Sequence, residues 1–248
     1  PEASLTSVLD DTRTAMGARM LRRWISKPLL DLETLEARLD AVQWFHSSAV
    51  KRGNIAKLLA SMSDIERLVN KVRGASATPQ DLIALKKSLL LGPQIRDLMS
   101  EGEHSDQVSG MASQIGDHSE VVGLIEDAIT DDPARIVGEG RVIRKGYSSE
   151  LDGMRAGAKS ARDYIAGLEV EERTRTGIKT LKVGFNKVFG YYIEVSKANA
   201  GRVPGDYIRR QTLVNAERYV TGDMKMYESK VLAAQDLIAE LEVTLFRN

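Results

Sequence analysis

Apolar side chains recur at three- and four-residue spacing along much of the 248-residue chain, which is the spacing of one face of a helix. In the first 130 residues this pattern is broken by turn residues and predicts a series of short helices. The second of them carries its apolar stripe at Leu32, Leu35, Leu39, Val42 and Phe45. The predicted helix starts are Asp11-Thr12, Asp31, Ser63 and Thr78, and the predicted ends are Ser26, Gly74 and Gly92. The polar stretch Glu101–Asp117 is predicted to be a surface loop or a weakly formed helix.

The second half of the chain contains two longer apolar seams with strict alternation of three- and four-residue steps, which is typical of a coiled coil. The first seam lies between Ser148 and Glu172, and the second begins at Asp223. Each seam is about 25 residues long and would span roughly 36 Å as a helix. Their members are Leu151, Met154, Ala158, Ala161, Ile165 and Leu168, and then Met224, Tyr227, Val231, Ala234, Ile238, Leu241 and Leu245.

Between the seams the apolar period changes to two, which predicts strands. Residues 181–185 and 191–195 flank a turn containing Asn186 and read as a hairpin. Val203-Pro204-Gly205-Asp206 is a further turn signal, and Ile208–Val214 is predicted to form another strand. The fold class that follows is mainly α: a multi-helical core with a long antiparallel helical arm that carries a small antiparallel β module at its tip.

The formal net charge is zero, yet the positive charge is concentrated in one segment. Residues 173–222 contain ten Lys or Arg and three Asp or Glu, a net charge of +7, and the remainder carries −7. Six of the thirteen aromatic residues also lie there. We expect a β module at an arm tip to present this positive field with little local compensation, and so to attract the phosphates of duplex DNA. A basic run is also what a solvated surface looks like, and from the residues alone both interpretations stay open.

Composition excludes several other classes of function. The chain contains no cysteine, so it has neither disulfides nor thiolate metal sites, which fits a reducing compartment. It has no apolar run of membrane-spanning length and no secretion signal, and the missing initial Met suggests a piece of a longer protein. His46, His104 and His118 are isolated, and no phosphate-binding loop is present, so no catalytic or metal-binding residue is predicted. A protein-docking arm with a basic tip remains an alternative to DNA binding, and an enzyme is disfavoured. The aromatics Phe185 and Tyr191, with Ile193, are expected to fill the module's core rather than to stack on bases.

Two long motifs lie in the strand-rich segment, residues 181–195 (LKVGFNKVFGYYIEV) and 206–219 (DYIRRQTLVNAERY). They resemble the clamp of the MutS family of bacterial mismatch-recognition proteins. Others are similar to its core region: residues 14–24 (TAMGARMLRRW), 27–30 (KPLL), 64–68 (DIERL) and 146–152 (GYSSELD). The resemblance covers nearly the whole chain and is weakest at Ile95–Ser119.

This resemblance implies a discontinuous helical core or lever domain, residues 1–172 and 223–248, with an inserted DNA-clamp domain at residues 173–222. It implies that the clamp holds double-stranded DNA through its backbone, and that lever helices couple this contact to a distant nucleotide site. By motif position, the implied DNA contacts are Asn186, Lys187 and Asn215, with Lys182, Arg209 and Arg210 as weaker electrostatic candidates. The family's ATPase and mismatch-reading modules have no counterpart in these residues, so the chain itself is expected to be no enzyme and to need no cofactor.

For the longer protein, the resemblance implies ATP and magnesium, a homo-oligomer, contacts with other mismatch-repair proteins, no membrane, and a cytoplasmic, nucleoid-associated location.

Overall fold

The computed structural model describes residues 4–102, 106–186, 188 and 190–248. By contacts between Cα atoms the chain divides into two compact units, residues 1–144 and 145–248. The first unit is helical throughout its regular structure. Its helices are α1 (Leu5–Leu9), α2 (Ala15–Ser26), α3 (Leu32–Ser47), α4 (Ala49–Ala60), α5 (Ile65–Arg73), α6 (Pro79–Leu89), α7 (Leu91–Ser100), α8 (Asp106–Ser113) and α9 (Ser119–Ala128).

Local capping explains where most of these helices begin. The Asp31 side chain accepts a hydrogen bond from Thr34 N at 2.9 Å, which confirms the predicted start of α3. Thr78 and Asp81 form a reciprocal capping box at α6, also as predicted. The start predicted at Asp11-Thr12 is wrong, because Asp10 binds the Thr12 amide and hydroxyl in a turn, and Thr14 caps α2 instead. The cap of α5 is Asp64, one residue after the predicted Ser63.

Two further expectations for this unit need correction. Gly92 does not end a helix, since α6 stops at Leu89 and α7 runs through Gly92. The apolar stripe of α3 is not its main buried face: Leu32, Leu39 and Val42 are each more than 60% exposed. The core there is instead formed by other residues, namely Ala41, Trp44, Ile55, Ile95, Met99, Val108 and Ala112.

The second unit is built on two long helices, α10 (Ser149–Thr176) and α11 (Gly222–Arg247). Arg155 of α10 is paired with Glu242, and further along α10 the Tyr164 ring stacks on Tyr227, with ring centroids 3.9 Å apart. Since later positions of α10 meet earlier positions of α11, the pair is antiparallel. The residues of both predicted seams are buried or half-buried, so the coiled-coil pattern is confirmed. Gly177 ends α10 in the left-handed conformation, with φ of 67°.

A four-stranded antiparallel sheet of order β1-β2-β4-β3 connects the two helices. Its strands are β1 (Lys182–Asn186), β2 (Gly190–Ser196), β3 (Ile208–Thr212) and β4 (Ala216–Val220), and a 3-10 helix follows β2 at Lys197–Arg202. The predicted hairpin and the strand at Ile208 are confirmed, whereas β4 and the 3-10 helix were not predicted. The mainly α fold with a small antiparallel β module is therefore the observed one. The assignment of residues 173–222 to a separate inserted domain stays a prediction, although α10 continues to Thr176 inside that range.

Candidate nucleic-acid interface

The sheet is packed closely against the helix pair. The apolar face of the sheet, including Ile193, Val195 and Tyr219, shares one buried cluster with Leu168 of α10 and Met224 of α11. Strand β1 runs back along α10. Leu181, just before the strand, accepts a hydrogen bond from Arg173 near the end of the helix, whereas Val183 within the strand donates one to Glu169, one turn earlier. Residues further along β1 line the same groove as still earlier residues of α10. The module is thus a layer on the end of the helix pair rather than a detached tip.

Three helix carboxylates hold the module in place. Glu169 of α10 accepts a hydrogen bond from Val183 N at 2.8 Å, and Glu228 of α11 accepts one from Tyr191 N at 2.9 Å. Glu172, which is buried, accepts one from the Tyr207 hydroxyl at 2.7 Å. Hydrogen bonds to charged acceptors are the stronger kind, so both helices are firmly joined to the sheet.

The expectation that the module's positive charge has little local compensation is wrong. Each of the three acids in residues 173–222 is paired with an arginine: Arg218 with Glu194 at 2.9 Å, Arg175 with Asp206 at 3.0 Å, and Arg209 with Glu217 at 3.5 Å. Acids of α10, which lie outside the counted segment, add two more pairs: Arg173 with Glu169 and Arg175 with Glu172, each at 2.8 Å. Four of the ten basic residues, all arginines, therefore each have a carboxylate partner within 4 Å.

Three ionisable groups of the module, Asp206, Tyr207 and Tyr219, have shifted pKa values. Hydrogen bonding to Arg175 holds the pKa of Asp206 below its usual value, which keeps the carboxylate charged. Burial, and then the hydrogen bond to Glu172, raises the pKa of Tyr207 well above that of a free tyrosine. Burial and the bond donated to Glu217 raise the pKa of Tyr219 to about 12. Both phenols therefore stay neutral hydrogen-bond donors around neutral pH.

Five cations remain without an acidic partner within 4 Å anywhere in the described part of the chain, and all five are exposed. They are Lys179, Lys182, Lys197, Arg202 and Arg210. Three of them lie outside the strands, and the sequence prediction did not single them out: Lys179 is in the turn between α10 and β1, and Lys197 and Arg202 are at the two ends of the 3-10 helix. For Lys179 and Arg202 the available signal is a turn residue two positions away, Gly177 and Pro204, whereas Lys197 carries no such signal.

Of the predicted contact residues, Asn186 and Asn215 lie at opposite ends of the sheet. Asn186 is opposite Gly190 in the β1–β2 register, whereas Ala216, next to Asn215, is opposite Ser196 at the far end of β2. Gly190 and Ser196 are six positions apart along β2, which corresponds to about 20 Å at the usual rise per residue of a strand. The structure therefore does not bring these two asparagines together.

The local surroundings of the predicted contacts also differ. The Asn186 side-chain oxygen accepts a hydrogen bond from Val188 N at 2.8 Å, so part of this amide serves the turn itself. Asn215 is exposed, and its backbone oxygen accepts a bond from Lys197 N at 3.1 Å. Lys187, predicted beside Asn186, lies outside the described residues.

The three remaining predicted side chains are on or near the sheet. Lys182 is the exposed first residue of β1, on the same face as Arg218 and Glu194. Arg209 is exposed and only loosely paired with Glu217, while Arg210 is at the irregularity of β3. All three therefore offer a guanidinium or ammonium group to solvent.

The aromatic residues mostly fill the interior, as expected. Ile193 is fully buried and Tyr191 packs against the same cluster. Phe185 is the exception, since it is 57% exposed and contacts Tyr191 at a ring-centroid distance of 4.9 Å. The core interpretation therefore accounts for Tyr191 and Ile193 but leaves Phe185 half in solvent.

Other kinds of site are not found among the described residues. No group of three or more His, Asp or Glu side chains in the described ranges is arranged to hold a metal ion. Within the same residues, no helix is both long and apolar enough to cross a bilayer.

Comparison with known proteins identifies the family. The model of MutS domain III matches residues 1–246. The chain belongs to the MutS family. A protein from Pelotomaculum thermopropionicum, named DNA mismatch repair protein MutS, is 46% identical over 243 residues, which is 98% of this chain and 28% of the relative. Proteins with the same name from Salinibacter ruber and Methanothrix thermoacetophila are 45% and 47% identical, over 99% and 98% of this chain. The chain spans about 28% of the length of the MutS relatives that it matches.

Proposed function

We propose that this MutS chain is the core and clamp portion of a DNA mismatch-repair protein, and that its β module holds duplex DNA by the phosphate backbone. The observation that supports the proposal is the set of five exposed cations on the module for which no described acid lies within 4 Å. Ammonium and guanidinium groups bind phosphates electrostatically and read no sequence. The names of the relatives, all DNA mismatch repair proteins, agree with this assignment.

The helices α10 and α11 act, in this proposal, as levers between the DNA contact and a nucleotide site elsewhere in the full-length protein. Support comes from the carboxylates Glu172 of α10 and Glu228 of α11, each of which binds the module directly. A displacement of the sheet would therefore act on both helices. We assign ATP, magnesium, oligomerisation and contacts with other repair proteins to the full-length protein, and no residue of this chain to catalysis.

The proposal is tested by measuring how binding of the 248-residue chain to a short labelled duplex depends on salt. We expect weak binding, with a dissociation constant on the order of 10⁻⁴–10⁻⁶ M at physiological salt. If about four phosphates are neutralised, the slope of log affinity against log salt is about −3.6. Affinity should then fall about 150-fold when salt is raised fourfold, from about 50 to about 200 mM.

Matched and mismatched duplexes serve as paired substrates in the same titration. Because backbone contacts are blind to base pairing, we expect equal affinity for both, and an equal loss when Lys187 and Arg209 are changed to Glu. A slope of log affinity against log salt near zero would refute the proposed binding to the DNA backbone. A clear preference for the mismatch would show that the chain inspects bases, contrary to the proposal.

A further inference from the structure

We propose that the principal phosphate-binding surface of the module is formed by three connecting segments at the far end of the sheet: residues 177–181, residues 196–203 with the 3-10 helix, and residues 213–216. Lys179, Lys197 and Arg202 supply the charge, and the side-chain amide of Asn215 supplies a neutral donor. This inference rests on the proposed function and assigns it to a particular surface, hereafter the distal loop surface. The ligand is the backbone of duplex DNA.

Hydrogen bonds show that the three segments meet. Asn199 of the second segment donates to Thr180 of the first at 3.2 Å, and Arg202 donates to Gly177 O at 3.4 Å. The Lys197 amide donates to Asn215 O of the third segment at 3.1 Å. Residues distant in sequence are thus held on one surface at the end of β2.

The charge of this surface is not cancelled by the module's own acids. Glu194, Asp206 and Glu217 are each occupied by an arginine, namely Arg218, Arg175 and Arg209. Lys179, Lys197 and Arg202 are exposed, and no carboxylate of the described residues lies within 4 Å of their charged groups. The ion pairs therefore leave positive charge at solvent on this surface, with Lys182 and Arg210 as the other unpaired cations of the described module, on strands β1 and β3.

The segments are also held in shape before any ligand binds. Asn199 bonds both Thr180 and Ser196, at 3.2 and 3.1 Å, and so pins the start of the 3-10 helix that follows β2. A surface whose backbone is already fixed loses less entropy when it binds. Three cations on one fixed surface suit a ligand that carries many charges, and duplex DNA has about one charge per 1.7 Å of its axis.

The experiment compares two variants of the 248-residue chain that each remove three positive charges. The loop variant combines K179Q, K197Q and R202Q. The matched control combines K57Q, K87Q and R141Q, three exposed cations in the unit of residues 1–144. Since each phosphate contact contributes about 0.9 to the salt slope, we expect the loop variant to change it from about −3.6 to about −0.9, and the control to leave it unchanged.

Because Arg202 contacts the end of α10, a second variant, K179Q/K197Q, keeps that residue and should change the slope from about −3.6 to about −1.8. Near-ultraviolet circular dichroism of the tyrosines verifies that the module is folded in each variant. If the unmodified chain binds duplex with a steep salt slope and the loop variants behave like the control, the assignment of phosphate binding to the distal loop surface is refuted, while the proposed binding to the DNA backbone stands. If the unmodified chain shows no salt-dependent binding, the proposed binding to the DNA backbone is itself refuted.

The alternative ligand of this surface is an acidic protein partner. Polyglutamate, added at the same concentration of negative charge as the duplex, tests this alternative by competing with the duplex for the chain. We expect it to leave duplex binding unchanged within twofold. Efficient displacement by polyglutamate would overturn the assignment of the surface to phosphates.

Discussion

Replacing Gly190 with alanine should destabilise the β module through one identifiable contact. Gly190 begins β2 with φ of +82°, and a Cβ atom built there would lie 1.6 Å from the Glu228 carboxylate oxygen. That oxygen accepts the hydrogen bond from Tyr191 N at 2.9 Å. An alanine at position 190 therefore has two costs: a left-handed backbone with a side chain, and displacement of the carboxylate from its donor.

The two costs can be estimated separately. A left-handed conformation costs a non-glycine residue about 1–2 kcal/mol. Loss of a hydrogen bond to a charged group costs about 1.5–3 kcal/mol. We therefore expect Gly190→Ala to lower the free energy of unfolding by about 2.5–5 kcal/mol.

A double-mutant cycle with Glu228→Ala isolates the second cost. Once the carboxylate is removed, the alanine at position 190 has nothing to displace, so its cost should fall to about 1–2 kcal/mol. The matched control is Gly157→Ala in α10, where a new Cβ meets no atom within 4 Å. This control should stabilise the protein by about 0.5–1 kcal/mol, since alanine is the better helix former.

The chain offers a separate spectroscopic probe for each unit. All seven tyrosines lie between Tyr147 and Tyr227, in the second unit, and both tryptophans, Trp24 and Trp44, lie in the first. Urea unfolding followed by tyrosine near-ultraviolet circular dichroism should register the loss in Gly190→Ala. Tryptophan fluorescence should not. A cost below about 1 kcal/mol, or the same cost with and without Glu228, would refute the proposed contact.

Three further predictions concern charge. Because the pKa of Tyr219 is raised to about 12, the second unit should keep its stability up to about pH 10 and lose part of it between about pH 10 and 12. The variant Tyr219→Phe should lose less stability over this pH range, measured by thermal unfolding that is followed through tyrosine circular dichroism. Hydrogen bonding to Arg19 lowers the pKa of Asp64 to about 2, so the stability that this ion pair gives the first unit should persist above about pH 4 and disappear as the pH falls towards 2. The variant Asp64→Asn should lack this pH dependence when unfolding is followed by tryptophan fluorescence. Arg155→Met should cost about 3–5 kcal/mol in urea, because it leaves the buried Glu242 carboxylate without its ion pair, and the further change Glu242→Met should recover most of that loss.

Features of the fold with a local cause were predictable from the sequence. The capping box at Thr78 depends on residues three positions apart, and the hairpin follows from alternating side chains beside Asn186. The helix seams were visible for the same reason, because a coiled-coil repeat is a local pattern. Strand β4 escaped prediction because Ala216–Val220 has two charged residues among its five and is fixed by pairing with β2 rather than by its own pattern.

The candidate site was predicted less well because its electrostatics depend on contacts between distant residues. Arg175 and Asp206 are 31 positions apart, and Glu169 lies outside the segment whose charge was counted. A count of +7 could not show which arginines were already paired. The resemblance located the module and named Asn215, but the convergence of Lys197 with Asn215 needed the sheet register.

Two carboxylates connect the module to both long helices. Glu172 of α10 and Glu228 of α11 bind the sheet from two different helices, and each hydrogen bond to a charged group contributes about 1.5–3 kcal/mol. A duplex held at the distal loop surface would pull on a sheet that cannot leave either helix without breaking such a bond. Forces too weak to break these bonds must therefore move the sheet and the adjoining ends of α10 and α11 as one body. That mechanical connection is what the proposed lever requires, and Glu228→Ala should loosen it at α11 without removing any cation from the distal loop surface.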